Sequence, residues 1–318
     1  MNEATTHVPN VPVADGELIE VARGIHAWIQ PDGTWWINNA GFVAEGSTVA
    51  IIDTCTTEKR TRQFLTAMEK AIPGAAVKFA VNTHHHGDHT FGNSLLPRQT
   101  CLIGHELMRS AFLEDTTLEA FPNYWSPTPD FGNLTRRAPD LTILEAATIY
   151  LETRPLQIAH PGFTAHTEGD LGVWIPDARV LFVGDLLFPG HTPMIMAGAP
   201  TGAIRSLAWI AAFEPSVVVP GHGPVIQASQ LSAVLDEHRA YYEFVISEAK
   251  RGVAQHLTPL EVARTADMAP YRHLLDPERF VLNIHSAYAE LGLGQVNRPN
   301  ALADAVAFIG GSPILTRA

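Results

Sequence analysis

The chain has 318 residues, 46% hydrophobic and 17% charged, which supplies a core and is too little charge for a disordered chain. A formal net charge of −12 and only four lysines (Lys59, Lys70, Lys78, Lys250) exclude a broad basic groove for nucleic acid. Cys55 and Cys101 make no disulfide framework, no run of about 18 apolar residues offers a membrane span, and Met1 to Asp15 lacks the features of a signal peptide, so the cytoplasm is the expected location.

Residues 1–16, with Pro9, Pro12 and Gly16, read as a flexible leader, and 17–318 as one domain. Strand-like runs follow at Leu18–Val21, Ile25–Ile29, Trp35–Ala44 and Thr48–Asp53. Turns at Arg23-Gly24, Asp32-Gly33 and Glu45-Gly46-Ser47 separate them, a β-meander pattern. Thr57 to Ala71 predicts an amphipathic helix closed by Pro73-Gly74. Val77–Val81 reads as a buried strand, Thr100–Ile103 as another, and His105 to about Leu113 as a helix. Residues 115–140 form a long stretch without such a pattern, and aromatics such as Phe121, Tyr124, Trp125 and Phe131 predict an ordered lid or pocket wall, with a packed surface excursion as the alternative.

The second half repeats the theme. Leu141–Leu144, Thr148–Glu152, Leu156–Ala159, Leu171–Ile175, Val180–Val183 and Val217–Val219 predict strands, and Ala203–Phe213 and Ser229–Arg251 predict helices. The expected fold is α/β, a pseudo-duplicated sandwich with two sheets inside and helices outside. Residues 257–318 read as a helical C-terminal extension. Thr258-Pro259-Leu260-Glu261 carries a cap, a first-turn proline and a third-position glutamate, and Asp276-Pro277-Glu278 repeats that start signal.

The chemistry concentrates in Thr83-His84-His85-His86-Gly87-Asp88-His89, directly after the Val77–Val81 strand. His84 and His86 are two apart and share a side at an extended strand end. Gly87 is expected to let the chain turn sharply, bringing Asp88 and His89 back toward the same point. Imidazole nitrogens and carboxylate oxygens together suit zinc. Three further residues stand at strand ends: His166 before Leu171–Ile175, Asp185 after Val180–Val183, and His222 after Val217–Val219.

His84-x-His86-x-Asp88-His89 with His166, Asp185 and His222 resembles the ligand set of the metallo-β-lactamase superfamily, and Ile51-Ile52-Asp53-Thr54 resembles its strand-turn before the first helix. The resemblance covers about residues 20–225 and implies an αββα sandwich and two zinc ions per chain. It implies that His84, His86 and His166 hold one zinc, Asp88, His89 and His222 the other, and that Asp185 bridges them. His86 stands where the di-iron branch has Glu, which favours zinc. Such a pair lowers the pKa of a shared water toward about 7, and Asp88 and Asp185 become the catalytic residues.

Further stretches resemble a narrower group. Asn82 to Asn93, Gly104 to Ser110, Leu257 to Arg264, Leu275 to Arg279 and Asn283 to Glu290 look like lactamase-fold cyclases of aromatic (type II) polyketide pathways, of the actinorhodin second-ring cyclase type. That implies aldol ring closure of a polyketide, with or without thioester hydrolysis, and an acyl carrier protein as candidate partner. The alternative is a general zinc-dependent hydrolase of lactones, lactams or thioesters. A non-enzymatic scaffold is disfavoured by the complete ligand set. Trp35, Trp36, His191, Tyr124 and Trp125 are candidate substrate contacts. His85 is expected to point away from the metals and His105 to cap a helix. No nucleic acid or membrane is expected as partner, and a homo-oligomer is a candidate state.

Overall fold

Two sheets packed face to face carry the fold in a computed structural model that describes residues 15–318. The leader expected at 1–16 lies, through residue 14, outside the described residues. β1 (Glu17–Ala22), β2 (Ile25–Ile29), β3 (Ala40–Glu45) and β4 (Thr48–Ile52) pair antiparallel in chain order, the predicted meander. The chain then crosses through α1 (Glu58–Ala71) to β5 (Ala76–Val81), parallel to β4, because a parallel neighbour needs a crossover. Thr57 caps α1 by accepting a hydrogen bond from the Arg60 amide at 3.3 Å. After the short helix α2 (Gly87–Thr90) come β6 (Cys101–His105), α3 (Glu106–Glu114), the two-residue β7 (Trp125–Ser126) and the edge strand β8 (Leu141–Ile143).

The second sheet has the order β14-β13-β12-β11-β10-β9. Its strands are β9 (Ala146–Leu151), β10 (Arg154–Ala159), β11 (Gly172–Ile175), β12 (Val180–Gly184), β13 (Val217–Pro220) and β14 (Ile226–Gln227). The helix α4 (Pro200–Ala212) joins the parallel pair β12 and β13. Alternation along the strands builds three layers of core. In β4, Ala50 and Ile52 face the second sheet while Val49 and Ile51 face α1. In β12, Val180 and Phe182 face the first sheet while Leu181 and Val183 meet the outer helices. These strands are apolar on both faces, so they read as continuous runs in the sequence.

The C-terminal region adds α5 (Ala228–Ala254), α6 (Pro259–Thr265), α7 (Arg279–Glu290) and α8 (Arg298–Phe308). Thr258 and Glu261 form the expected capping box. A final strand, β15 (Ile314–Leu315), pairs parallel with β7 inside the long loop, which the sequence reading did not anticipate. Among the described residues no helix is long and apolar enough to cross a membrane.

Three local expectations are corrected. The strand expected from Trp35 to Ala44 begins only at Ala40. Trp36 has φ 67°, and the Asn38 and Asn39 amides donate to the Thr54 and Gly223 carbonyls at 2.8 and 2.7 Å, so side chains replace a strand ladder here. Gly87 is not in the left-handed region; it is needed because a Cβ there would overlap the Phe91 ring. Asp276 does not cap α7: it has φ 55° and ion-pairs with Arg279 at 2.7 Å, while the Glu278 carboxylate accepts from Trp35 Nε1 at 2.6 Å.

Candidate metal centre

The parallel strands end on one rim of the sandwich, where α/β sheets place their sites. β5 delivers His84 and His86, α2 carries Asp88 and His89, and β12 and β13 end at Asp185 and His222. His166 comes from the β10–β11 connection, beside the end of β12. Gly221 has no side chain for a steric reason: a Cβ there would overlap Asp185 Oδ1. Seven ligand-type side chains thus fall into two groups that could each hold a metal ion: His84, His86, His166 and Asp185, and Asp88, His89 and His222.

The atoms that meet are specific. His86 Nδ1 lies 3.1 Å from His84 Nε2 and 2.9 Å from His166 Nε2. Asp185 Oδ2 lies 3.4 Å from His166 Nε2 and 3.4 Å from His222 Nε2, and Asp185 Oδ1 lies 3.2 Å from His89 Nε2. Asp88 Oδ2 is 3.3 Å from His222 Nε2. Ligands set tetrahedrally about 2.0–2.1 Å from one zinc are themselves about 3.3 Å apart, the same spacing.

Outer partners decide which lone pairs point inward. His89 Nδ1 donates to Asp53 Oδ2 at 2.8 Å, His222 Nδ1 to the Gly33 carbonyl at 2.8 Å, and His166 Nδ1 to the Met194 carbonyl at 2.5 Å. Each neutral ring then aims a bare Nε2 at the centre. His89 Nε2 and Asp185 Oδ1 are buried with no hydrogen-bond partner among the described residues. Converging acceptors that face one another require a cation between them, and this donor set fits a metal.

Without metal, protons take that role in part. Burial opposes charge on His222, but Asp185 and Asp88 outweigh it and raise the imidazole to about 9. Burial is likewise overcome at His89, which Asp185, Asp53 and Asp88 hold well above the usual histidine range. His84 and His86 are pushed well below it, by burial first and neighbouring imidazoles second. Asp185 stays well below the usual carboxylate range because four imidazoles outweigh its burial.

A cleft of about 540 Å³, open solvent included, opens onto these atoms. Trp35, Trp36, Trp125, Phe188, Met194 and Met196 make its apolar wall, and Asp115, Arg279 and Arg298 add charge. Trp125 sits edge-on to Trp35 and Trp36, with ring centroids 5.3 and 5.4 Å apart.

Residues 33–222 match the sequence model of the metallo-beta-lactamase superfamily, more than half of the chain. The chain belongs to the metallo-β-lactamase superfamily. The chain is 25% identical over 220 residues to the 2,4-dinitroanisole O-demethylase subunit alpha of Nocardioides sp. (strain JS1661), covering 68% of this chain and 60% of that one. It is 25% identical over 205 residues to a hydroxyacylglutathione hydrolase of Brucella anthropi, covering 63% of this chain and 65% of that one. The matched region is thus less than two thirds of either curated relative's length. Solved lactamases share the fold: DIM-1 metallo-beta-lactamase superposes with TM-score 0.57 at 18% identity over 73% of this chain and 98% of its own. The metallo-beta-lactamase from Pontibacter korlensis gives 0.56 at 20% identity, over 71% and 99%.

Of the other residues singled out in the sequence, Trp35, Trp36 and Trp125 line the cavity and Tyr124 and His191 do not. The His191 imidazole is buried against the Asp32 and Pro189 carbonyls, at 2.9 and 3.1 Å, and burial lowers it to about 4. His85 falls outside both ligand groups, and His105 caps α3 by accepting from the Leu107 amide at 3.2 Å. Sequence reasoning missed Phe188, Met194, Met196, Asp115, Arg279 and Arg298. Arg279 directly follows the Asp276-Pro277-Glu278 signal, but nothing in that pattern reveals a pocket wall. Arg279 and Arg298 also lie beyond the segment that matches the superfamily.

Proposed function

We propose that this protein is a dizinc enzyme acting on the ester or thioester carbonyl of a bulky aromatic, polyketide-like acyl substrate. One observation carries the reading: two convergent ligand groups, with Asp185 of the first also beside His89 and His222 of the second, open directly into an aromatic-walled cleft. His84, His86 and His166 would hold one zinc, Asp88, His89 and His222 the other, and Asp185 would lie between them. When bound, the zinc pair supplies Lewis acidity and a water acidic enough to be deprotonated near neutral pH.

The chain's own residues do the rest. Asp88 presents Oδ2 to His222 and lines the cavity, so its Oδ1 takes up the proton released as the nucleophile forms. Asp53, Gly33 and Met194 hold three imidazoles in one tautomer, so no ring reorients during turnover. The tryptophan wall excludes bulk water and strengthens electrostatic interactions inside.

Hydrolysis is the first reading, supported by the relative named hydroxyacylglutathione hydrolase. Aldol ring closure of a carrier-bound polyketide is the second, supported by the motifs in 257–264 and 275–290 and by the apolar wall. Mass spectrometry of products from zinc-loaded protein and an N-acetylcysteamine thioester of an aromatic polyketide mimic separates them. Free acid supports hydrolysis. A product lighter by one water supports ring closure. Unchanged substrate contradicts both.

A further inference from the structure

Two guanidinium groups reach the cavity from the C-terminal helices, and they are not equivalent. Arg279 is 2% exposed, ion-paired to Asp276 at 2.7 Å, and stacked over Trp35 and Phe188 with centroid distances of 4.7 and 5.5 Å. Its charge is already matched, and its plane completes the wall. Arg298 is the first residue of α8, is exposed, and lines the same cavity. Its position is set by the helix start, where the Asn297 side chain accepts from the Asn300 amide at 3.1 Å. Among the described residues Arg298 has no ion-pair or hydrogen-bond partner. The counter-charge in the lining outside the metal groups is Asp115, whose Oδ1 accepts from the Thr117 amide at 2.8 Å.

An unmatched guanidinium beside an aromatic wall binds a planar apolar body that carries an anion. We propose that Arg298 is the specificity residue of this pocket and selects aromatic substrates bearing an anionic substituent, a carboxylate or a group of like charge. The aromatic body lies against Trp36 and Trp125, the anion pairs with Arg298, and Asp115 tunes that preference by opposing it. This rests on the reading of the cavity as the substrate pocket, and it names the substrate class.

The test is a binding measurement, so it does not depend on turnover. Naphthalene-2-sulfonate and the neutral methyl 2-naphthyl sulfone have matched shape, and each is titrated into zinc-loaded full chain by quenching of tryptophan fluorescence. Wild type is expected to bind the sulfonate at least roughly 2- to 5-fold more tightly than the sulfone, the range for an exposed guanidinium. Arg298→Gln is expected to lower that ratio at least about twofold, the remaining preference belonging to the metal centre, without changing sulfone affinity, and Asp115→Asn to raise it. An unchanged ratio in R298Q, or no preference in wild type, overturns the proposal. Anion selection by Arg298 without thioester turnover would leave this inference standing and remove the proposed reaction, and turnover without anion selection would do the reverse.

Discussion

Asp53→Asn tests how the metal centre is held. Asp53 directly follows β4 with φ 59° and accepts three hydrogen bonds: from the Thr83 amide at 2.7 Å, the Thr83 hydroxyl at 2.7 Å and His89 Nδ1 at 2.8 Å. Asparagine tolerates this left-handed backbone, so the turn survives the substitution. An amide oxygen can still serve Thr83, but the amide NH2 then faces His89 Nδ1. That nitrogen must become an acceptor, which moves the ring proton to Nε2, the atom aimed at the metal. Loss of such an outer partner costs about 10- to 100-fold in metal affinity, or about 1.4–2.7 kcal/mol. The loss should fall on the site formed by Asp88, His89 and His222 and spare the one formed by His84, His86 and His166. Competition against a zinc chelator, with native mass spectrometry to count ions, reads both sites. Two sites of wild-type affinity in D53N would refute the reasoning.

Three other outcomes follow from the same geometry. His222 is raised from 6.5 to about 9 by Asp185 and Asp88 against its burial, so its stabilising contribution to the metal-free fold is complete below about pH 6.5 and is lost as pH rises through about 9. Zinc must displace that proton, so binding at pH 7 should release protons in calorimetry across buffers of different ionisation enthalpy, and a buffer-independent enthalpy would contradict this. Cys55 is fully buried, and burial pushes its thiol up to about 12, so a thiol reagent should label only Cys101 in the native protein; equal labelling of both would contradict the packing. Trp35→Phe leaves the buried Glu278 carboxylate without its 2.6 Å donor and should cost about 1–3 kcal/mol in urea unfolding; an unchanged midpoint would show that this bond does not hold the cavity wall.

The strands and the seven ligand-type residues were legible because each depends on local pattern. Val49 to Ile52 and Val180 to Val183 are continuous apolar runs, and the ligand-type residues other than His166, which lies within the β10–β11 connection, stand just after strands. The strand predicted from Trp35 failed because tertiary contacts override β-propensity there: Asn38 and Asn39 bind carbonyls that are 16 to 184 residues away in sequence. Gly87 was recognised as necessary, but for a backbone turn, when the cause is the Phe91 ring against its Cα. The cavity wall was least legible. Phe188, Met194, Arg279 and Arg298 share no period, and only the folded chain brings them beside the β5 terminus. β15 is two residues long and pairs with a strand nearly two hundred residues earlier, a contact no local pattern encodes.

The dependence of thioester hydrolysis on zinc equivalents tests the central claim most directly. Metal-stripped protein is titrated with zinc while release of the thiol is followed with a colorimetric reagent. Turnover should be absent without zinc, rise with added metal and level off at two equivalents per chain. Full activity in stripped protein, saturation at one equivalent, or no turnover at two would contradict a dizinc centre acting on this class of substrate.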